Sequence, residues 1–243
     1  MSDLRLFHRR LAPGRVVLSP EESHHAGSVL RCRVGDPVWL FDGEGAEAVG
    51  RVADIRRQAV TIDVGEVREP PVSNGVRLTL AVAMPRKQRQ GFLFEKCTEL
   101  GVWAIWPTVC ARSVVKPAPD RLSRWRRTTV EAAKQCRRCR LPRVEAVMQF
   151  AETVERAGEF DACVVTDADP ASRPLLEVLA ACKAQFENAG GWSLLVWIGP
   201  EGGLTAEEVE SAVGLGANRA GLGDSVLRVE TAAVAVAALV GLG

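Results

Sequence analysis

Five short runs in the first seventy residues have the apolar, β-branched and partly alternating character of strands: LRLFH (4–8), GRVVLS (14–19), DPVWLFDG (36–43), AEAVGRVADI (46–55) and AVTIDVGEV (59–67). Their length and spacing predict a small β-barrel. One helix interrupts them. Ser19 and Glu22 have the spacing of a capping box, Pro20 occupies the first helical position, and the segment ends near Arg31.

The pattern changes after EPPVSNG (69–75), a stretch rich in proline, serine, asparagine and glycine that reads as a linker. The expected domains are therefore 1–72 and 73–243. In the second, strands alternate with helices. Strand 77–84 precedes a helix over 88–100 closed by Gly101, strand 102–109 precedes a long helix over 121–139, and strand 144–148 precedes a short helix over 151–157. Strand 162–166, helix 174–186, strand 194–198, a helix from Thr205, a short strand 220–222 and a last helix from Val229 complete the series. Such alternation predicts an α/β domain with a largely parallel sheet, unknotted as far as pattern alone can say.

Composition narrows the class. A chain of 243 residues, 47% hydrophobic and 25% charged, has the balance of a soluble globular protein of one or two domains. The longest apolar run, TAAVAVAALVGLG, is shorter than the ~20 residues that span a bilayer. The first ten residues, MSDLRLFHRR, carry charges where a signal peptide has an apolar core, so the expected location is the cytoplasm. Seven cysteines, an odd number, do not form a secreted disulfide framework, and the single Cys-x-x-Cys at Cys136 and Cys139 lacks the second pair of a zinc site. No metal is expected.

Charge is segregated. The formal net charge of +1 splits into about −1 over 1–72, about +11 over 73–150 and about −9 over 151–243. So basic a segment in a balanced chain points to a polyanion held by counterion release. Arg86, Lys87 and Arg89 follow one strand, Arg112 follows another, and RLSRWRRTTVEAAKQCRRCR, with Arg137 and Arg138, lays arginines along the long helix. With Arg31 from the first domain, Arg86, Arg89, Arg112, Arg137 and Arg138 are the candidate RNA contacts; the plain alternative is a solvated helix face.

Two stretches carry candidate chemistry. In LLVWIGPEGGLTAEEVE a buried strand enters a turn with Gly199, Gly202 and Gly203, and Thr205 with Glu208 caps the next helix. The phosphate-loop and dinucleotide signatures are both absent, and Glu201 would repel a phosphate. A ligand that is neutral or cationic there fits, as S-adenosylmethionine is. In GLGDSVLRVETAAVAVAALV a polar turn precedes an alanine-rich helix, and Arg228 and Glu230 lead into the most apolar segment of the chain, where buried charges need partners.

KCTELGV, EAAKQCRRCRLPRV, IGPEGGLTAEEVE and LGDSVLRVETAA, together with the N-terminal SHHAGSVLRCRVGDPVWLFDGEG, resemble the ribosomal RNA small-subunit methyltransferase E (RsmE) family of the SPOUT superfamily, in order and over nearly the whole chain. The resemblance implies an N-terminal PUA-like RNA-binding β-barrel, a C-terminal SPOUT α/β domain with a trefoil knot, and a homodimer. It also implies an S-adenosylmethionine-dependent enzyme that methylates N3 of a uridine in 16S ribosomal RNA. Carried over, the cofactor residues are Thr166, the loop of Gly199, Pro200, Glu201, Gly202 and Gly203, the turn of Leu222, Gly223, Ser225, Val226 and Leu227, and then Arg228, Thr231 and Ala232. Arg228 is the expected stabiliser of negative charge on the uracil carbonyls; Glu230 is the expected base, or the residue that holds Arg228. The competing readings are a SPOUT enzyme acting on a transfer RNA base or a ribose, and a non-catalytic ribosome-assembly factor.

Overall fold

The structure is a computed structural model, and it describes residues 4–56, 59–70, 75–118, 120–167, 169, 171–186 and 190–242. The chain divides into two compact units, one made of Met1–Val72 with Val130–Leu141, the other of Ser73–Thr129 with Pro142–Gly243. The expected boundary between residues 72 and 73 lies outside the described residues.

In the first unit, β1 (Arg5–Phe7), β2 (Gly14–Val17), β3 (Pro37–Phe41), β4 (Glu47–Arg56) and β5 (Ala59–Arg68) form one sheet in the order β1-β3-β4-β5-β2. Its β1–β3 pairing is parallel and the others are antiparallel. Alternation places Val60, Ile62 and Val64 of β5 inside with Leu6, Val38 and Leu40. Closure of this sheet into the expected barrel is not found: among the described residues the edge strands β1 and β2 do not pair with each other. Strands of three and four residues offer few ladder bonds for closure, and a helix is stitched beside them instead. That helix, α1 (Pro20–His24), runs on as a π-turn over His25–Val29, and Ser23 Oγ donates to Leu18 O at 3.2 Å and accepts from Val60 N at 3.0 Å.

The cap of α1 is half of what the sequence predicts. Ser19 Oγ accepts from Glu22 N at 3.2 Å. The Glu22 carboxylate, however, is buried and accepts from Phe7 N at 3.0 Å and from Lys134 Nζ, rather than turning back to Ser19. A buried carboxylate needs a charged partner, and Lys134 supplies one to it. With Leu141 N donating to Gly43 O at 2.9 Å, this pair fastens the 130–141 segment within the first unit.

The second unit contains β6 (Val76–Ala83), α2 (Lys87–Glu99), β7 (Ala104–Val109), the start of α3 (Arg121–Cys136), β8 (Arg143–Val144), β9 (Met148–Gln149) and α4 (Phe150–Glu155). It continues with β10 (Ala162–Thr166), α5 (Leu175–Phe186), β11 (Trp192–Ile198), α6 (Ala206–Gly214), β12 (Asn218–Ala220) and α7 (Val229–Leu242). The sheet order is β12-β10-β11-β6-β7-β8, with β9 also on β7, and every pairing is parallel. Both faces are covered. Leu78, Leu80 and Val82 pack with α2, α5 and α7, whereas Ala81, Trp106 and Trp197 pack with α4 and α6. Such two-sided burial explains why these strands read as continuous apolar runs.

Three expected elements are corrected. The long helix stops at Cys136, not Cys139, because Arg137 adopts a left-handed backbone with φ of 63°. The strand expected over 144–148 is two separate pairs, each docked on β7. The last short strand is Asn218–Ala220, which frees residues 221–228 to form a longer turn.

Candidate active site

Because β10, β11 and β12 run parallel, their C-terminal ends open on one edge of the sheet, and the segments leaving them meet there. They enclose a cleft of about 410 Å³.

The first wall follows β11. Gly203 N donates to Pro200 O at 2.8 Å, closing a turn in which Gly203 has φ of 72°. A Cβ on Gly199 would lie 2.9 Å from Leu204 Cγ and 3.0 Å from the Leu204 amide nitrogen, so that position needs glycine. The cap at Thr205 forms as the sequence predicts: its Oγ1 accepts from Glu208 N at 3.2 Å, and Glu208 Oε2 accepts from Thr205 N at 2.9 Å. The other Glu208 oxygen accepts from Ala111 N at 2.8 Å, and Arg112 Nη1 donates to Gly202 O at 2.9 Å and to Leu204 O at 3.2 Å.

The opposite wall is residues 222–227, after β12. Gly223 has φ of 105°, and residues 223–226 are exposed, Val226 to 79%. Among the described residues the side chains of this wall make no hydrogen bond. The floor comes from β10: Thr166 Oγ1 donates to Trp197 O at 2.9 Å, and Asp167 Oδ2 accepts from Arg219 Nε at 3.1 Å and Nη2 at 2.6 Å.

Of the residues the sequence singled out for a cofactor, Thr166, Gly199, Pro200, Glu201, Gly202, Gly203, Leu222, Gly223, Ser225, Val226, Leu227 and Ala232 line this cleft; Arg228 and Thr231 do not. Sequence reasoning missed Asp167, Ile198, Leu204 and Val229 in the lining, and it assigned Arg112 to RNA rather than to the cleft. Asp167 stands directly after the strand end at Thr166, a signal that was readable. Arg112 lies 90 residues from Gly202, and nothing local announces that pairing.

Glu230, in the first turn of α7, is buried to 4% exposure and its Oε1 is bonded by Arg89 Nη1. Its expected partner, Arg228, is exposed, and its side chain makes no hydrogen bond or ion pair among the described residues. Glu230 therefore does not hold Arg228; it holds Arg89. Glu230 Oε2 is buried without a hydrogen-bond partner among the described residues, a costly arrangement unless a bound molecule supplies a donor. Of the other basic candidates, Arg86 is exposed at the N-cap of α2. Arg31, Arg137 and Arg138 belong to the first unit; Arg31 and Arg137 are exposed and Arg138 is half-buried.

The sequence model of the family described as RNA methyltransferase domain matches residues 72–241, and the one described as RNA methyltransferase PUA domain matches residues 18–65. The ribosomal RNA small subunit methyltransferase E of Bacillus subtilis is 33% identical over 223 residues, covering 88% of this chain and 85% of that protein. The protein of the same name from Mycobacterium bovis is 33% identical over 239 residues, covering 93% and 86%. Among solved structures, a Legionella pneumophila methyltransferase with bound S-adenosylmethionine matches with a TM-score of 0.85 at 25% identity, covering 99% of this chain and 97% of that one.

Proposed function

The chain belongs to the ribosomal RNA small subunit methyltransferase E family, and from that premise we propose that it methylates N3 of a uridine in the 16S RNA of the small ribosomal subunit. S-adenosylmethionine is its cofactor, as the bound cofactor of the Legionella neighbour supports. The observation that carries the reading is the cleft between two glycine-bearing walls. Its volume suits a ligand of this size. The residues present fit the group: Glu201 and Asp224 favour a cationic centre over a phosphate, Leu222, Leu227 and Val229 offer apolar surface to a base, and the glycines let backbone approach.

When bound, the cofactor supplies an electrophilic methyl group on a sulfonium. The chain must hold the nucleophile in line with it, exclude water and remove the N3 proton. Glu230 is the proposed base. Its unpartnered Oε2 matches the donor that an N3–H offers, and Arg89 fixes the other oxygen. Arg228, whose side chain makes no hydrogen bond or ion pair among the described residues, is proposed to stabilise charge spreading to the uracil carbonyl oxygens. The target edge is the Watson–Crick edge, so the base must be unpaired when it enters.

The first unit, matched by the PUA model, is proposed to bind RNA. The knot implied by the family is also part of this reading: β12 lies at one end of the sheet, whereas the helix after it packs on α2 and β6, so the chain end doubles back across the sheet. A homodimer fits α7, which is apolar after Thr231 yet leaves Leu239 exposed. A ribosomal RNA substrate favours the cytoplasm as the site of the reaction, and among the described residues no helix is long and apolar enough to cross a membrane.

Mass-spectrometric mapping of 16S RNA nucleosides from cells with and without the gene tests the proposal. A 3-methyluridine that disappears on deletion and returns with the wild-type gene is expected. An unchanged modification map contradicts it.

A further inference from the structure

Charge pattern alone assigns Arg112 to RNA. The hydrogen bonds around it form a different device. Two peptide planes of the first wall are each held at both ends. In the Gly202–Gly203 plane the carbonyl accepts from Arg112 and the N–H donates to Pro200 O. In the Leu204–Thr205 plane the carbonyl accepts from Arg112 and the N–H donates to Glu208 Oε2. Glu208 Oε1 then accepts from Ala111 N, adjacent in sequence to Arg112. The result is a closed circuit that runs from Ala111 and Arg112 through the glycine loop to the cap of α6 and back. Cys110 N donating to Ser113 Oγ at 2.9 Å keeps the turn bearing Arg112 in shape.

We infer that this circuit is the positioning device of the cofactor loop, and that Arg112 acts through the loop rather than as a phosphate contact. The physical reason is conformational. Gly199, Gly202 and Gly203 have more backbone freedom than any other residues, and a loop of three glycines left unfastened must be ordered by its ligand. Fixing two of its peptide planes beforehand removes that cost from binding. A guanidinium suits the task because one nitrogen presents its donors in a fixed plane to two carbonyls at once. Glu208 belongs to the circuit without lining the cleft, so anything it does to cofactor binding passes through the loop. The inference rests on the reading of the cleft as the cofactor site.

The test is calorimetric titration of S-adenosylmethionine, without RNA, into wild type, Arg112→Met, Arg112→Lys, Glu208→Gln and the Arg112→Met/Glu208→Gln double variant, with melting curves for each. Opening the circuit at one residue is expected to weaken binding about tenfold, which corresponds to ~1.4 kcal/mol. Arg112→Met and Glu208→Gln should each lose about that factor while the folded fraction at the assay temperature stays unchanged. The double variant should lose less than the product of the two, since both act on one circuit, and Arg112→Lys should recover part of the loss. RNA affinity of Arg112→Met, measured across salt concentrations, should keep the wild-type slope. Cofactor affinity within twofold of wild type in both single variants overturns the inference. So does a salt slope reduced by about one with cofactor affinity intact, which marks a phosphate contact. Failure of wild type itself to bind the cofactor removes the cleft assignment instead, so the two failures are distinguishable.

Discussion

The two walls of the cleft are built in opposite ways. Residues 199–204 are closed by a turn, capped by Thr205 and Glu208, and clamped from outside by Arg112. Residues 222–227 are largely exposed and their side chains lack hydrogen bonds among the described residues, with Val226 exposed to 79%. The first wall is thus organised before any ligand arrives. The second presents exposed surface, which in the proposed reading the cofactor covers. Arg228 and Glu230, the proposed reacting groups, follow the second wall, so the proposed chemistry is attached to the wall with the fewer internal bonds.

The sharpest way to break this comparison is at Glu230. Glu230→Gln removes the proposed base while retaining the shape of the side chain, and single-turnover methylation at saturating cofactor should slow by about 10²–10⁴-fold with cofactor affinity nearly unchanged. A normal rate would detach catalysis from the second wall. Next in size is Gly199→Ala in the first wall. The added methyl meets Leu204 side chain and backbone within 3.0 Å, and overpacking of this kind costs ~1–3 kcal/mol. Cofactor affinity should fall about tenfold to a hundredfold in calorimetry, because a clamped loop cannot shift to make room.

Val226→Ser probes the second wall by its lack of internal contacts. Melting temperature should not change, since the side chain is exposed, whereas cofactor affinity should drop about fivefold if the valine is covered on binding. Smallest is Gly223→Ala. A Cβ there meets nothing within 4 Å, so only the strain of φ at 105° opposes it, about 1 kcal/mol, and a loss of about threefold to fivefold is expected. Equal sensitivity of Gly199 and Gly223 would erase the contrast between the walls.

The contrast also explains what was legible in the sequence. Features set by neighbours in the chain were readable: the Thr205–Glu208 cap, the glycines of both walls and the alternation that builds a parallel sheet. Features set by distant partners were not. Glu22 has capping-box spacing but is drawn away by Lys134, 112 residues on, and Glu230 pairs with Arg89 across 141 residues rather than with nearby Arg228. Net charge of the basic segment suggested RNA for Arg89 and Arg112 alike, yet a count of charges carries no information on which carbonyl or carboxylate each guanidinium meets. The open first sheet escaped for a related reason. Strand-like runs are local, whereas closure depends on whether two short edges find each other, and among the described residues β1 and β2 do not pair.

In the proposed reading one molecule of methyl donor touches both walls. A crystal structure of the protein with S-adenosylmethionine tests this most directly. The donor should occupy the cleft in contact with residues 199–203 on one side and 222–227 on the other, with Val226 covered. A donor bound elsewhere, or resting against one wall only, would contradict it.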